Sequence, residues 1–153
     1  MAHAEPLATE RTSLYERDFV LWLEQQAVLL RERRFDDLDV ANLVEEIESM
    51  GRSEKRAIKS NLVVVLLHLL KHQFQPAQRS ASWVASILEH RQRLRDEFED
   101  SPSLRNHAGR VFGRAYTDAR VRAQVETGLP PGAFPTTCPY TLDETLDPDF
   151  LPD

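Results

Sequence analysis

The sequence predicts an all-α protein: a single-domain bundle of about five helices around a buried central helix, with an extended proline-rich strap at the C-terminal end. Three observations predict it. Apolar residues recur at three- and four-residue spacing in successive segments from Phe19 to Ala119, the pattern of helices with one buried face. The run Leu62–Leu70 is apolar on all sides apart from His68, which suits a helix covered by neighbours. Six of the nine prolines follow Gly128, where they favour extended backbone over further helix.

Residues 1–12 read as a loose leader. Ser13, Leu14, Tyr15 and Glu16 have the form of a capping box, in which the hydroxyl takes the Glu16 amide and the carboxylate reaches back. Helix A is therefore expected over 14–34, with Phe19, Leu23, Ala27 and Leu30 on its apolar face, joined by Trp22. Arg31, Arg33 and Arg34 fall where the last carbonyls accumulate negative potential. Asp39 is a good N-cap for helix B, on which Val40, Leu43, Val44, Ile47 and Met50 share a face; Gly51 is expected to end or kink it. Helix C, over 53–74 with Ser53 as cap, is the central element. Its β-branched run Val63–Val65 alone would suit a strand, but the stripe Ile58, Leu62, Val65 and Leu69 extends over 12 residues, too long for one.

Pro76 ends helix C, and Ser80 is placed to cap helix D, whose expected buried face is Val84, Ile87, Leu88, Leu94 and Phe98. Pro102 suits the start of helix E, which carries Leu104, Ala108, Val111, Phe112, Ala115 and Ala119 to about Glu126, with Gly128 as its stop. The bundle thus spans 13–128. The tail, 129–153, should pack over it through Phe134, Tyr140, Leu142 and Phe150, with one short helix framed by the capping pair Thr141 and Glu144.

Composition bounds the function. At 153 residues, 41% apolar and 29% charged, the chain can bury one core and is short for two. A net charge of −6 argues against broad binding to phosphate backbones, so total charge speaks against nucleic acid as a partner. Cys138 is the single cysteine, so no internal disulfide forms. The opening residues lack the basic-then-apolar order of a secretory signal, and the longest apolar run is about half a membrane span. A cytoplasmic protein with no membrane contact is the expectation.

Several strings taken together resemble one known family. They are "YERDFVLWLEQQAVLLRERRFDDLDVANLVEEIESMGRSEKRAIKSNLVVVLLHLLKHQFQP", "RSASW", "DSPSLRN", "AYTDAR" and "TGLPPGAFPTTCPYTLDETLD". The chain, from about Tyr15 to Phe150, resembles the bacterial family catalogued as domain of unknown function twenty-nine. The resemblance implies a helical fold and carries no agreed activity. At position 72 this chain has His where the family pattern usually has Trp, so a chemistry common to the family should not rest on His72.

His68 and His72, four apart on helix C, could both face a metal ion, with Glu45 or Glu48 of helix B completing a two-histidine, one-carboxylate set for Zn²⁺ or Fe²⁺. Such an ion would activate water or support oxygen chemistry. The competing reading has His68 bonded to a neighbouring carbonyl, His72 in solvent, and the acidic Glu45–Glu48 stretch an ordinary surface. Arg79 and Trp83, at the start of helix D, could hold an anion with the free amides there, or could simply pin the corner between helices C and D. Arg91, Arg93, Arg95, Arg105, Arg110, Arg114, Arg120 and Arg122 make the second half locally basic, though interspersed with acids. No nucleophilic triad, glycine-rich phosphate loop or paired-cysteine zinc motif is present. No cofactor can be named.

The leading expectation is a non-catalytic module acting through protein contacts, as a homodimer or with another protein, using apolar residues such as Trp22 and Phe150 beyond what one core needs. A metal-dependent enzyme built on His68, His72 and a helix B carboxylate is the second expectation. Nucleic-acid binding through the helix D and E arginines is the third.

Overall fold

The structure, a computed structural model, describes residues 12–153; the leader up to residue 11 lies outside the described residues. These contain six α-helices and no strand: α1 (Leu14–Arg17), α2 (Phe19–Arg31), α3 (Val40–Phe74), α4 (Ala81–Asp100), α5 (Ser103–Thr127) and α6 (Leu142–Leu146). The all-α class is as the sequence implies. The described residues divide into two compact units, one ending at Met50 and one starting at Gly51.

In the first unit the expected helix A is two helices. Asp18 leaves helical geometry at φ −149° and its carboxylate accepts from the Leu21 amide at 3.0 Å, so it ends α1 and caps α2. Ser13 caps α1 as expected, accepting from the Glu16 amide at 3.4 Å. At the other end, Arg33 takes φ +56°, and the Arg33 and Arg34 amides close back onto Leu30 and Leu29. That is the left-handed helix stop normally given to glycine. Helix B and helix C are one helix: α3 runs unbroken through Gly51, where an added Cβ would meet nothing within 4 Å. A solvated glycine weakens a helix by about 1 kcal/mol without breaking it, and the good helix formers on both sides carry α3 across.

The second unit has its core on the far half of α3. Ile58, Leu62, Val65, Leu66, Leu69 and Leu70 are all fully buried, and they cluster with Ile87 and Leu94 of α4 and with Leu104, Ala108, Val111, Ala115 and Ala119 of α5. Alanines on α5 let the helices approach closely, while the bulky residues of α3 fill the space. Two details differ from expectation. Leu88 points outward at 48% exposure, and its place in the α4 core is taken by Arg91, which is 2% exposed. Ser80 stands at the N-cap of α4, but its hydroxyl pairs with that of Ser82 at 2.8 Å and caps nothing. Gly128, at φ +68°, stops α5 as expected.

The tail lies on this bundle as a strap. Phe134 and Tyr140 are buried in the shared core; Cys138, Leu142, Leu146 and Phe150 pack partly against it. Its carbonyls are taken by bundle side chains: Arg120 donates to Phe134 and Pro131, Tyr116 to Pro135, and Arg91 to Thr145 at 2.8 Å. The Tyr140 hydroxyl donates to Gln73 at 2.7 Å. Thr141 and Glu144 form the expected capping box of α6. Extended backbone has no internal partners, so donors from the bundle satisfy it where water is excluded.

Candidate functional site

His68 and His72 both lie on α3, but their environments differ. The buried His72 ring places Nδ1 3.0 Å from the Pro152 carbonyl, which requires the proton on that nitrogen and makes His72 an anchor for the end of the strap. His68 is half-buried, its Nδ1 has no partner, and burial first and Lys71 second hold it below its ordinary pKa. His90 and Glu126 are the other groups that act on it. Glu45 and Glu48 are exposed residues of the first unit. Among the described residues, no group of three or more His, Cys, Asp or Glu side chains is placed to hold a metal ion.

Arg79 donates from Nε to the His72 carbonyl at 2.8 Å, capping the end of α3. Trp83 is half-buried with the Lys71 ammonium 4.6 Å from its ring centre, and Lys71 also pairs with Glu126 at 3.0 Å. Both residues thus hold the corner between α3 and α4 together. The Cys138 thiol is raised above its ordinary pKa by burial, which suppresses the thiolate a nucleophile needs.

The first unit is organised by a small polar cluster that sequence reading missed in part. Trp22 is 2% exposed and donates from Nε1 to Asp39 at 3.0 Å; the same carboxylate oxygen accepts from the Asn42 side chain at 2.8 Å. The buried Gln26 accepts from the Asp39 amide at 2.8 Å. The Asn42 hydrogen bond chiefly, then that from Trp22, keeps the Asp39 carboxyl below the usual range against the opposing effect of burial. Tyr15 stacks edge-on against Trp22, and its hydroxyl donates to Glu46. Asp39 was legible as a cap; its second role was not, because Gln26 carries no sequence signal for burial.

Trp22 is therefore core and cannot serve as an exposed contact, and Phe150 is half-buried against the core that bundle and strap share. Other apolar residues are exposed instead. Val40, Val44, Ile47 and Met50, spaced as one helical stripe, are 58%, 48%, 67% and 68% exposed. The face expected to be buried in helix B is the exposed face of α3. On α2, Leu23 and Leu30 are likewise exposed, and Trp22, Gln26 and Leu29 are the residues turned inward.

A second surface feature belongs to the second unit. A depression of about 230 Å³ is lined by Arg52, Lys55, Arg56 and Lys59 of α3 with His107, Val111 and Arg114 of α5. It shares Lys59 with a larger one of about 420 Å³, lined also by Asp118 and Arg122. Lys59 pairs with Asp118 at 2.7 Å. Residues 51–122 carry 14 Arg and Lys against seven Asp and Glu, so the overall acidity of the chain hides a basic bundle. Arg120, in contrast, is engaged with the strap. The α3 cations, which sequence reading did not single out, stand at i, i+3, i+4 and i+7, and they become one surface with α5 only in the fold.

No helix among the described residues is long and apolar enough to cross a membrane. No curated protein and no solved structure matches the sequence significantly. Residues 14–151, nearly the whole chain, match the family described as Domain of unknown function DUF29, and the chain belongs to that family.

Proposed function

We propose that the protein is a non-catalytic interaction module that pairs with a second copy through the apolar faces of residues 19–50. One observation carries this reading: among residues 12–50, only Trp22 and Leu29 are buried hydrophobics, whereas eleven large apolar side chains are exposed. Isolated exposed leucines need no explanation, but the Val40, Val44, Ile47 and Met50 stripe continues over three turns, and such continuous faces mark contact surfaces. A two-fold pair lets one stripe meet its own copy, the commonest form of self-association. Sedimentation equilibrium of the full chain over a wide concentration range tests it. The expected result is a dimer that Ile47→Glu converts to a folded monomer; a wild-type protein that stays monomeric throughout overturns the reading.

The α3/α5 depression favours a second reading, binding of a nucleic-acid phosphate backbone. Like charges at i, i+3 and i+4 repel one another, and a polyanion would relieve that repulsion. Its test is the slope of affinity against salt for single- and double-stranded oligonucleotides. Arg56→Glu with Arg114→Glu should flatten it, and Arg120 is the wrong residue to reverse because it holds the strap.

A further inference from the structure

Arg91 is the one Lys or Arg that is fully buried among the described residues, at 2% exposure. Its Nε donates to the Thr145 carbonyl at 2.8 Å and its Nη2 to the Glu144 carbonyl at 3.3 Å, both in the last turn of α6. Helix C-terminal carbonyls carry partial negative charge and suit a guanidinium. They do not neutralise it, however, and the Nη1 nitrogen is buried with no partner at all. A guanidinium taken from water without a full complement of acceptors is costly, and a counter-anion removes that cost.

The space for one is present. A cavity of about 90 Å³ beside α6 is lined by Arg91, Arg95, Phe98, Arg105 and Leu146, which is room for about three waters or one small oxyanion. Arg95 follows Arg91 by one turn of α4, and Arg105 enters from the first turn of α5, an end of positive potential where Pro102 supplies no side-chain cap. Arg95 gives Nη1 to Gln92 at 3.2 Å and Arg105 gives Nη2 to Asp143 at 2.8 Å, so each has further donors. Asp143, which pairs with Arg105, has a side chain 85% exposed and solvent-screened, and Asp147 acts on Arg91 without an ion pair. Phe98 and Leu146 supply the apolar wall that keeps such a site from being a flat patch of charge.

The structure assigns to this cavity a phosphoryl-type oxyanion, held by Arg91, Arg95 and Arg105 between the bundle and the strap. Three arginines that line one cavity from two helices fit a tetrahedral anion with several oxygens better than a planar carboxylate, which one bidentate arginine satisfies. The anion would also tie α6 to α4 and α5. The inference is independent of self-association, since every residue involved lies in the second unit.

Isothermal titration of the full chain with inorganic phosphate, at ionic strength held constant with sodium chloride, tests the assignment, with glycerol phosphate as a parallel probe to distinguish a free ion from a phosphomonoester. The expected result is saturable one-to-one binding of at least one of the two. Arg95→Gln and Arg105→Gln, each with unchanged far-ultraviolet circular dichroism, should weaken it about tenfold or more. Arg93→Gln, on the same helix but paired outward with Glu89, should bind as wild type. No saturable binding of either probe, or equal weakening by Arg93→Gln and Arg95→Gln, overturns it.

Discussion

Between Leu14 and Met50 two hydrophobic side chains are buried and eleven large ones are exposed; between Ile58 and Leu70 eight apolar side chains are buried, six of them with no exposed surface at all. The same helix, α3, carries residues of both kinds. The contrast teaches that periodicity identifies an amphipathic face without saying what covers it. In the second unit the face of α3 is covered by α4, α5 and the strap. In the first unit the stripe of α3 is left for solvent or a partner, and a polar cluster around Asp39 does much of the organising.

The largest expected effect separates the two units directly. Leu66→Ala empties a fully enclosed site and should cost about 2–5 kcal/mol in denaturant unfolding. Ile47→Ala, at 67% exposure, should change stability by no more than about 0.5 kcal/mol under conditions where the protein is monomeric. If the two substitutions cost the same, the first-unit stripe is core and the contrast is wrong.

Next is the polar cluster. Asp39→Ala removes the acceptor of Trp22 Nε1 and of Asn42 and also the cap of α3, for an expected loss of about 1–2 kcal/mol. Asp39→Asn, which can still cap and accept, should recover part of it. In a Trp83→Phe background only Trp22 emits, and its fluorescence should shift to the red in Asp39→Ala as the ring gains water. An unshifted spectrum would mean that the aromatic contacts with Tyr15 and Phe19 alone hold the ring.

These residues also show what the sequence could reveal. Asp39, Gly128, the Thr141 and Glu144 pair and the Ile58 to Leu69 stripe each have a local chemical reason, and each appears in its expected place. Asp18 did not announce itself, because an acidic residue inside an apolar period reads as a solvated position until its side chain is seen to cap Leu21. Arg91 was read as part of a basic surface; burial came from the strap, whose path no periodicity encodes. His72 was read as solvent-facing for the same reason. Its hydrogen bond to Pro152 closes a separation of 80 residues.

The strap offers a smaller test. Tyr140→Phe deletes the bond to Gln73 while keeping the ring in the core, so about 1 kcal/mol should be lost. Amide exchange should speed up first in residues 129–153 and leave the α3 core protected. Uniform acceleration across α3, α4 and α5 would show instead that the strap and the bundle open as one unit.

The smallest effect is electrostatic and belongs to His68. Its pKa in the fold lies below the ordinary value of 6.5, chiefly because burial disfavours the charged ring. As pH falls through that ordinary value the unfolded chain takes up a proton that the fold resists, so the unfolded state binds more protons and stability declines. His107, also held low by burial, is only partly buried and contributes less. Stability measured between about pH 7.5 and 5.5, above the range where carboxylates dominate, should therefore drop on acidification in the wild type. His68→Gln, which cannot titrate, should flatten that slope even if it lowers stability overall. Identical slopes in the two proteins would mean that His68 finds a proton acceptor on its unpartnered Nδ1, and that the ring is charged as comfortably inside the bundle as outside it.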